Sequence, residues 1–112
     1  MAQRAGAGNA LLHLLTGGEF GSAEALRLNF VQRVVPAGQE LATAVDVAAS
    51  IAQQAPLAVA ATRRNVLKAM EQGPVVAMQD FIDVQRQLSG SEDAAEGVRS
   101  FVERRPAQFV GR

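Results

Sequence analysis

A chain of 112 residues is long enough for one domain and too short for two comfortable cores. Its 48% apolar and 20% charged residues exclude a disordered chain, but Ala, Val and Leu dominate, with five Phe and no Tyr or Trp, so thin helix contacts and marginal stability are expected. A formal net charge of zero argues against nucleic acid as a partner, and the absence of Cys excludes disulfides, thiolate metal sites and a Cys nucleophile, which suits the cytoplasm.

The first segment, MAQRAGAGNA, has no signal-peptide apolar core, and no apolar run approaches membrane-spanning length. Gly6, Gly8, Gly17, Gly18 and Gly21 punctuate the N-terminal stretch. Between them residues 9–15 read as a short helix, with Asn9 able to cap it and Gly17 able to end it in the left-handed conformation. Ser22 is the candidate cap of a second short helix over residues 23–28, with Glu24 favourably placed in its first turn. Residues 30–35 form the one β-like run, β-branched and apolar, which Pro36 stops.

From Gln39 onward the pattern is helical. Leu41, Val45, Ala48 and Ala52 recur at four-residue spacing, an apolar stripe on one face. Ala55-Pro56 breaks that helix, and because Pro suits the first helical position a new helix is predicted from there to Gln72, ended by Gly73-Pro74. Met78, Phe81, Ile82 and Leu88 then fit a third long helix, and Ser89-Gly90-Ser91 is a break. In the last helix Asp93 is the candidate cap, and Glu96, three residues on, can reach back in the capping-box manner. Ala94, Ala95, Val98, Phe101 and Val102 make its apolar face, and Arg99, Arg104 and Arg105 gather toward its C-terminal end, which favours cations. Pro106 stops it.

The fold class expected is therefore mainly α, with several short and medium helices and one short strand-like connector. A single domain spans residues 1–112. Residues 1–36 are connector helices and the short strand, and residues 37–112 are the helical region.

Two stretches carry a resemblance. The first runs Leu14-Leu15-Thr16-Gly17, Glu19-Phe20, Ser22-Ala23-Glu24-Ala25-Leu26-Arg27-Leu28, Val31 and Val34-Val35-Pro36. The second is Ser91-Glu92-Asp93-Ala94-Ala95-Glu96-Gly97-Val98-Arg99-Ser100-Phe101-Val102-Glu103-Arg104-Arg105-Pro106-Ala107-Gln108-Phe109. With Ala55-Pro56-Leu57-Ala58-Val59 between them, their order and spacing resemble the C-terminal helical region of the enoyl-CoA hydratase/isomerase (crotonase) family. Asn29 stands where that family usually has Gly, and Phe30 replaces a Leu. Asn is the residue after Gly that best tolerates positive φ, so the fold reading survives the change.

The resemblance implies a protein acting on acyl-CoA thioesters. Two backbone N–H groups form an oxyanion hole in such proteins, and in the hydratases two Glu side chains move water and protons. Those groups belong to the family's N-terminal spiral domain, so the chain is expected to lack them and to be inactive alone. No catalytic residue, metal ligand or covalently bound cofactor is assigned. Coenzyme A thioester is the expected substrate of the intact protein. By motif position Phe101 and Arg104 are the candidate coenzyme A-binding residues, an aromatic face for adenine and a guanidinium for phosphate. The family's helical region also builds a trimer, so removing the spiral domain should expose apolar faces such as Leu41/Val45 and Met78/Phe81/Ile82 and favour self-association. A stand-alone helical interaction module without catalysis is the competing expectation. A helix-turn-helix DNA binder is disfavoured for want of a basic recognition helix.

Other charged groups read as structural. His13, in Leu-Leu-His-Leu-Leu, shows no oriented partner in sequence, Asp93 and Glu96 are accounted for by capping, and Asp80 and Asp83 as solvated charges on one helix face. Gly6-Ala7-Gly8 lacks the strand and the Lys-Ser/Thr of a phosphate loop.

Overall fold

The computed structural model describes all residues 1–112 and is built from helices alone. In chain order these are α1 (Ala2–Ala5), α2 (Ala7–Thr16), α3 (Ser22–Arg27), α4 (Glu40–Ala52), α5 (Pro56–Gln72), α6 (Pro74–Gln79), α7 (Phe81–Ser89) and α8 (Glu92–Glu103). They form two compact units, Met1–Thr43 and Ala44–Arg112, with α4 starting in the first and ending in the second.

In the first unit the chain turns about small residues. Gly17 closes α2 in the left-handed conformation (φ 65, ψ 16), its N–H donating to the His13 carbonyl. Asn9 does not cap this helix, which starts at Ala7; its amide donates to the Ala5 carbonyl at 2.9 Å. Likewise Ser22 is the first helical residue of α3, and the cap position falls to Gly21. Leu28, 1% exposed, is the one large side chain fully buried. Next to it Asn29 takes φ 58, the positive value its position in the motif calls for.

The β-like run forms no strand. No second strand lies near to complete a ladder, and the Phe30 and Val31 N–H groups turn back onto the Ala25 carbonyl at 2.9 and 3.4 Å. The connector is a turn, held further by Phe20 stacked on Phe30 (ring centroids 5.5 Å apart) and by Arg4 donating to the Phe30 carbonyl at 3.3 Å.

In the second unit Pro56 opens α5 and Gly73 (φ 89) ends it, so the helix has the bounds its punctuation predicts. The single long helix expected after Pro74 is two. The backbone of Asp80 sits at φ −94, ψ 0, which breaks the i to i−4 ladder between α6 and α7. The Asp80 carboxylate meets Lys68 of α5 at 2.5 Å across the same corner. Ala61 and Ala77 fill the α5–α6 contact, where only small side chains let the helices approach.

The end of the chain corrects the capping assignment. Ser91, not Asp93, caps α8: its Oγ accepts from the Ala94 N–H at 3.1 Å. Asp93 and Glu96 are already inside the helix, 2% and 7% exposed, and serve residues much further on. Asp93 Oδ1 accepts from Val110 N–H at 2.7 Å and Oδ2 from Gly111 N–H at 2.9 Å. Its own N–H donates to the Arg112 carbonyl at 3.2 Å. Glu96 Oε1 accepts from Gln108 N–H at 2.9 Å. The tail thus runs back along α8 as an extended strap without a sheet partner, and two carboxylates satisfy the backbone donors a sheet would have satisfied.

Candidate functional site

Phe101 and Arg104 lie at the C-terminal end of α8. The sequence leaves open whether Phe101 belongs to the core. In this chain its ring is 84% exposed, with Val98 and Val102 also exposed on neighbouring turns. Arg104 is the helix C-cap in the left-handed region (φ 52, ψ 44), where a residue with a Cβ is uncommon. Its N–H donates to the Phe101 carbonyl at 3.3 Å, so the turn ties the two candidate residues together.

The electrostatics around this turn are uneven. Arg105 grips Glu96 with two parallel contacts, Nη1 to Oε1 at 2.5 Å and Nη2 to Oε2 at 3.0 Å, and reaches Glu103 through Nε at 2.5 Å. Arg99 also meets Glu96, at 3.2 Å. The Arg105 contact first, and the Gln108 N–H second, lower the Glu96 carboxyl to about 2 against the opposing effect of burial. The same ion pair with Glu96, and then that with Glu103, push the Arg105 guanidinium above its ordinary value. Arg112 pairs with Glu92 at 3.0 Å. Arg104 is the arginine at this end of the helix that forms no ion pair and no side-chain hydrogen bond. An exposed aromatic ring and an uncompensated guanidinium at one helix end can take a ligand with both a flat base and an anionic group.

Two grooves lie within the second unit. One of about 230 Å³ opens among α5, α6 and α7, lined by Asn65, Lys68, Phe81, Val84 and Leu88. Its charged wall is the Lys68–Asp80 pair, in which Lys68 lowers the Asp80 carboxyl. The other, about 340 Å³, lies beneath the strap and is lined by Leu57, Ala58, Leu88, Ala94 and Phe109. In the first groove Asp80 is taken up by Lys68, and in the second Ser91 Oγ donates to the Leu88 carbonyl while Asp93 accepts from the Val110 and Gly111 N–H groups. No group of three or more His, Asp or Glu side chains is placed to hold a metal ion.

His13 has a neighbour its sequence does not reveal. Its Nε2 lies 3.8 Å from Glu24 Oε1, and its ring packs on Phe20 with centroids 4.7 Å apart. That distance is beyond a hydrogen bond, and Arg27 engages both Glu24 oxygens at 2.6 Å. Glu24 orients on Arg27, and His13 packs. Asp83 pairs with Arg86 one turn along α7, an exposed pair of the ordinary helical kind.

What sequence reasoning misses is the pairing of Asp93 and Glu96 with the strap. Four residues without Gly or Pro, Ala107 to Val110, come after the Pro106 stop, and their N–H groups need acceptors. That is the available signal, but the chain return that brings them to α8 is not visible in local spacing.

No single helix is long and apolar enough to cross a membrane. A family model described as enoyl-CoA hydratase/isomerase matches residues 1–112. An enoyl-CoA hydratase of Mycobacterium tuberculosis is 36% identical over 101 residues, covering 88% of this chain and 37% of that protein. A carnitinyl-CoA dehydratase of Proteus mirabilis is 35% identical over 103 residues, covering 88% of this chain and 40% of that one. The crystal structure of a probable enoyl-CoA hydratase/isomerase from Mycobacterium abscessus superposes with a TM-score of 0.91 at 43% identity, over 99% of this chain and 43% of that chain. The chain thus spans about two-fifths of the length of the proteins it matches.

Proposed function

This chain belongs to the enoyl-CoA hydratase/isomerase family, and from that premise we propose that it is the part of an acyl-CoA enzyme that grips the coenzyme A tail and mediates assembly, without catalytic groups of its own. The observation that carries the reading is the pair at the end of α8. Phe101 stands exposed and Arg104 stands without a counter-ion, one bound to the other through the backbone. Adenine offers the flat face such a ring stacks on, and the phosphates offer the charge a guanidinium meets.

Catalysis is assigned elsewhere because the carboxylates that the structure holds most firmly in place are already engaged. Asp93 and Glu96 commit their oxygens to the strap, Glu24 to Arg27, and Asp80 to Lys68. The apolar side chains that α4 and α7 leave uncovered, Leu41, Val45 and Ile82 among them, support the assembly role.

Hydration of crotonyl-CoA by these 112 residues is the direct test. Only the uncatalysed background rate is expected, and turnover above it would sink the proposal that catalysis lies elsewhere. In parallel, titration with coenzyme A followed by NMR is expected to shift the Phe101 ring and Arg104 side-chain resonances first. Arg104→Ala should weaken that binding by about tenfold, the worth of one charge-assisted contact. Equal affinity in the variant would remove Arg104 from the site.

A further inference from the structure

The reversal after α8 is gripped on both arms by one side chain. Glu96 sits two turns before the reversal and is 7% exposed. Its carboxylate takes the Arg105 guanidinium through two contacts, at 2.5 and 3.0 Å, immediately after Arg104. It also takes the Gln108 N–H at 2.9 Å, four residues after Arg104. The Arg105 N–H meanwhile closes on the Ser100 carbonyl at 3.1 Å. Between these anchors Arg104 holds φ 52, ψ 44, the left-handed state of a helix-closing turn, which is less favourable for a residue with a Cβ than for Gly.

The same arrangement sorts the arginines. Glu96 occupies both Arg99 and Arg105, which leaves Arg104 at the apex of the turn with no carboxylate of its own. Were the turn to relax, Arg104 would extend the helix or the tail, and Arg105 would be released to compete for the same ligand.

We infer that Glu96 is a positioning residue: through Arg105 and Gln108 it imposes the left-handed turn that presents Arg104 beside Phe101 to a ligand carrying an anionic group and an aromatic base. The inference rests on the proposed contact of Phe101 and Arg104 with coenzyme A, and it extends that site to a residue that does not touch the ligand.

The test uses the 112-residue chain with isotopic labels, coenzyme A as the probe, and the variants Glu96→Gln, Arg105→Ala, Arg99→Ala and Arg104→Ala. Backbone couplings and carbon shifts of the residue at 104 report the sign of its φ. Affinity for coenzyme A is read from the same spectra. Glu96→Gln and Arg105→Ala are expected to abolish the positive-φ signature and to weaken coenzyme A by about tenfold, as if the contact itself were lost. Arg99→Ala, which removes an ion pair of Glu96 but neither grip on the turn, should keep positive φ at Arg104 and leave the affinity within about twofold, as expected for an exposed pair. Should Glu96→Gln prove too unstable to fold, Arg105→Ala decides alone, since it breaks the clamp from its more exposed side. A folded variant of either kind that keeps positive φ at Arg104, or keeps full affinity, overturns the inference. Unchanged affinity in Arg104→Ala overturns the coenzyme A reading instead, while the φ readout still decides whether Glu96 sets the turn.

Discussion

Asp93 gives both carboxylate oxygens to backbone donors, Val110 N–H and Gly111 N–H, from a position 2% exposed. Such a group tolerates no near relative. In Asp93→Asn one oxygen still accepts, but the amide NH2 faces an N–H group, donor against donor. The expected loss is about 2 kcal/mol, close to that of Asp93→Ala, because the geometry leaves no gain from the retained oxygen. Urea denaturation at neutral pH checks this, and an Asn variant as stable as the native chain would show that the strap does not depend on the carboxylate. Glu96 makes a prediction in pH. Its carboxyl lies near about 2 in the folded chain against an ordinary 4.5, held down first by Arg105. A depressed folded value means that its contribution is complete above the ordinary value and is lost as pH falls through the folded one. The difference in urea midpoint between the native chain and Glu96→Gln should therefore stay constant from about pH 7 to about pH 5 and close toward about pH 2. A difference independent of pH over that range would rule out the ion pair as its source. Both residues are legible as helix-start carboxylates and read locally as caps. What hides their role is distance along the chain: the backbone donors they serve lie 12 to 18 residues away, beyond any local motif.

At the scale of single helices, the punctuation residues are the readable part. Pro56 and Gly73 bound α5, Gly17 ends α2, and Asn29 supplies the positive φ of the α3 turn, each for a steric reason carried by the residue itself. The elements that escape depend on neighbours. Asp80 is ordinary in a helical pattern, yet its corner splits α6 from α7 where Lys68 lies across from it. The β-like run at residues 30–35 has the right side chains and no strand to pair with. Phe101 fits an apolar stripe, but helix periodicity states which face is apolar and not whether anything covers it. Gly97 offers a test at this scale. It lies mid-way along α8 with helical backbone, and a Cβ there would meet Phe109 Cε1 at 3.9 Å, an ordinary contact. Gly97→Ala should then stabilise the chain by about 1 kcal/mol through helix propensity alone. A lower thermal midpoint would mean that the strap packs against α8 more closely than the 3.9 Å approach allows.

For the molecule as a whole the controlling quantity is uncovered apolar surface. The chain exposes 8681 Å², whereas a folded monomer of this length is expected to expose about 5,900 Å². The buried apolar residues are Ala5, Ala10, Leu28, Ala61 and Ala77, and all but Leu28 are alanines. On α4, Leu41 is 76% exposed and Val45, one turn on, is exposed beside it; on α6 and α7 Met78 and Ile82 are exposed in the same way. Covering a Leu or Ile of this kind is worth about 2 kcal/mol, and association must offset about 4–15 kcal/mol of lost freedom, so several such side chains on each copy must be covered to hold copies together. Sedimentation equilibrium is therefore expected to give a mass that rises with concentration above that of the monomer. Replacing Leu41 and Val45 together by Glu should return the chain toward monomer if α4 is the shared face, and replacing Met78 and Ile82 should do so if α6 and α7 are. Glu is a good helix former, and these positions are already in water, so neither pair is expected to unfold its helix. A native chain that sediments as a single monomer at high concentration would contradict assembly through these faces. A mass unaffected by either pair would move the contact to the exposed ridge of Val98, Phe101 and Val102 on α8.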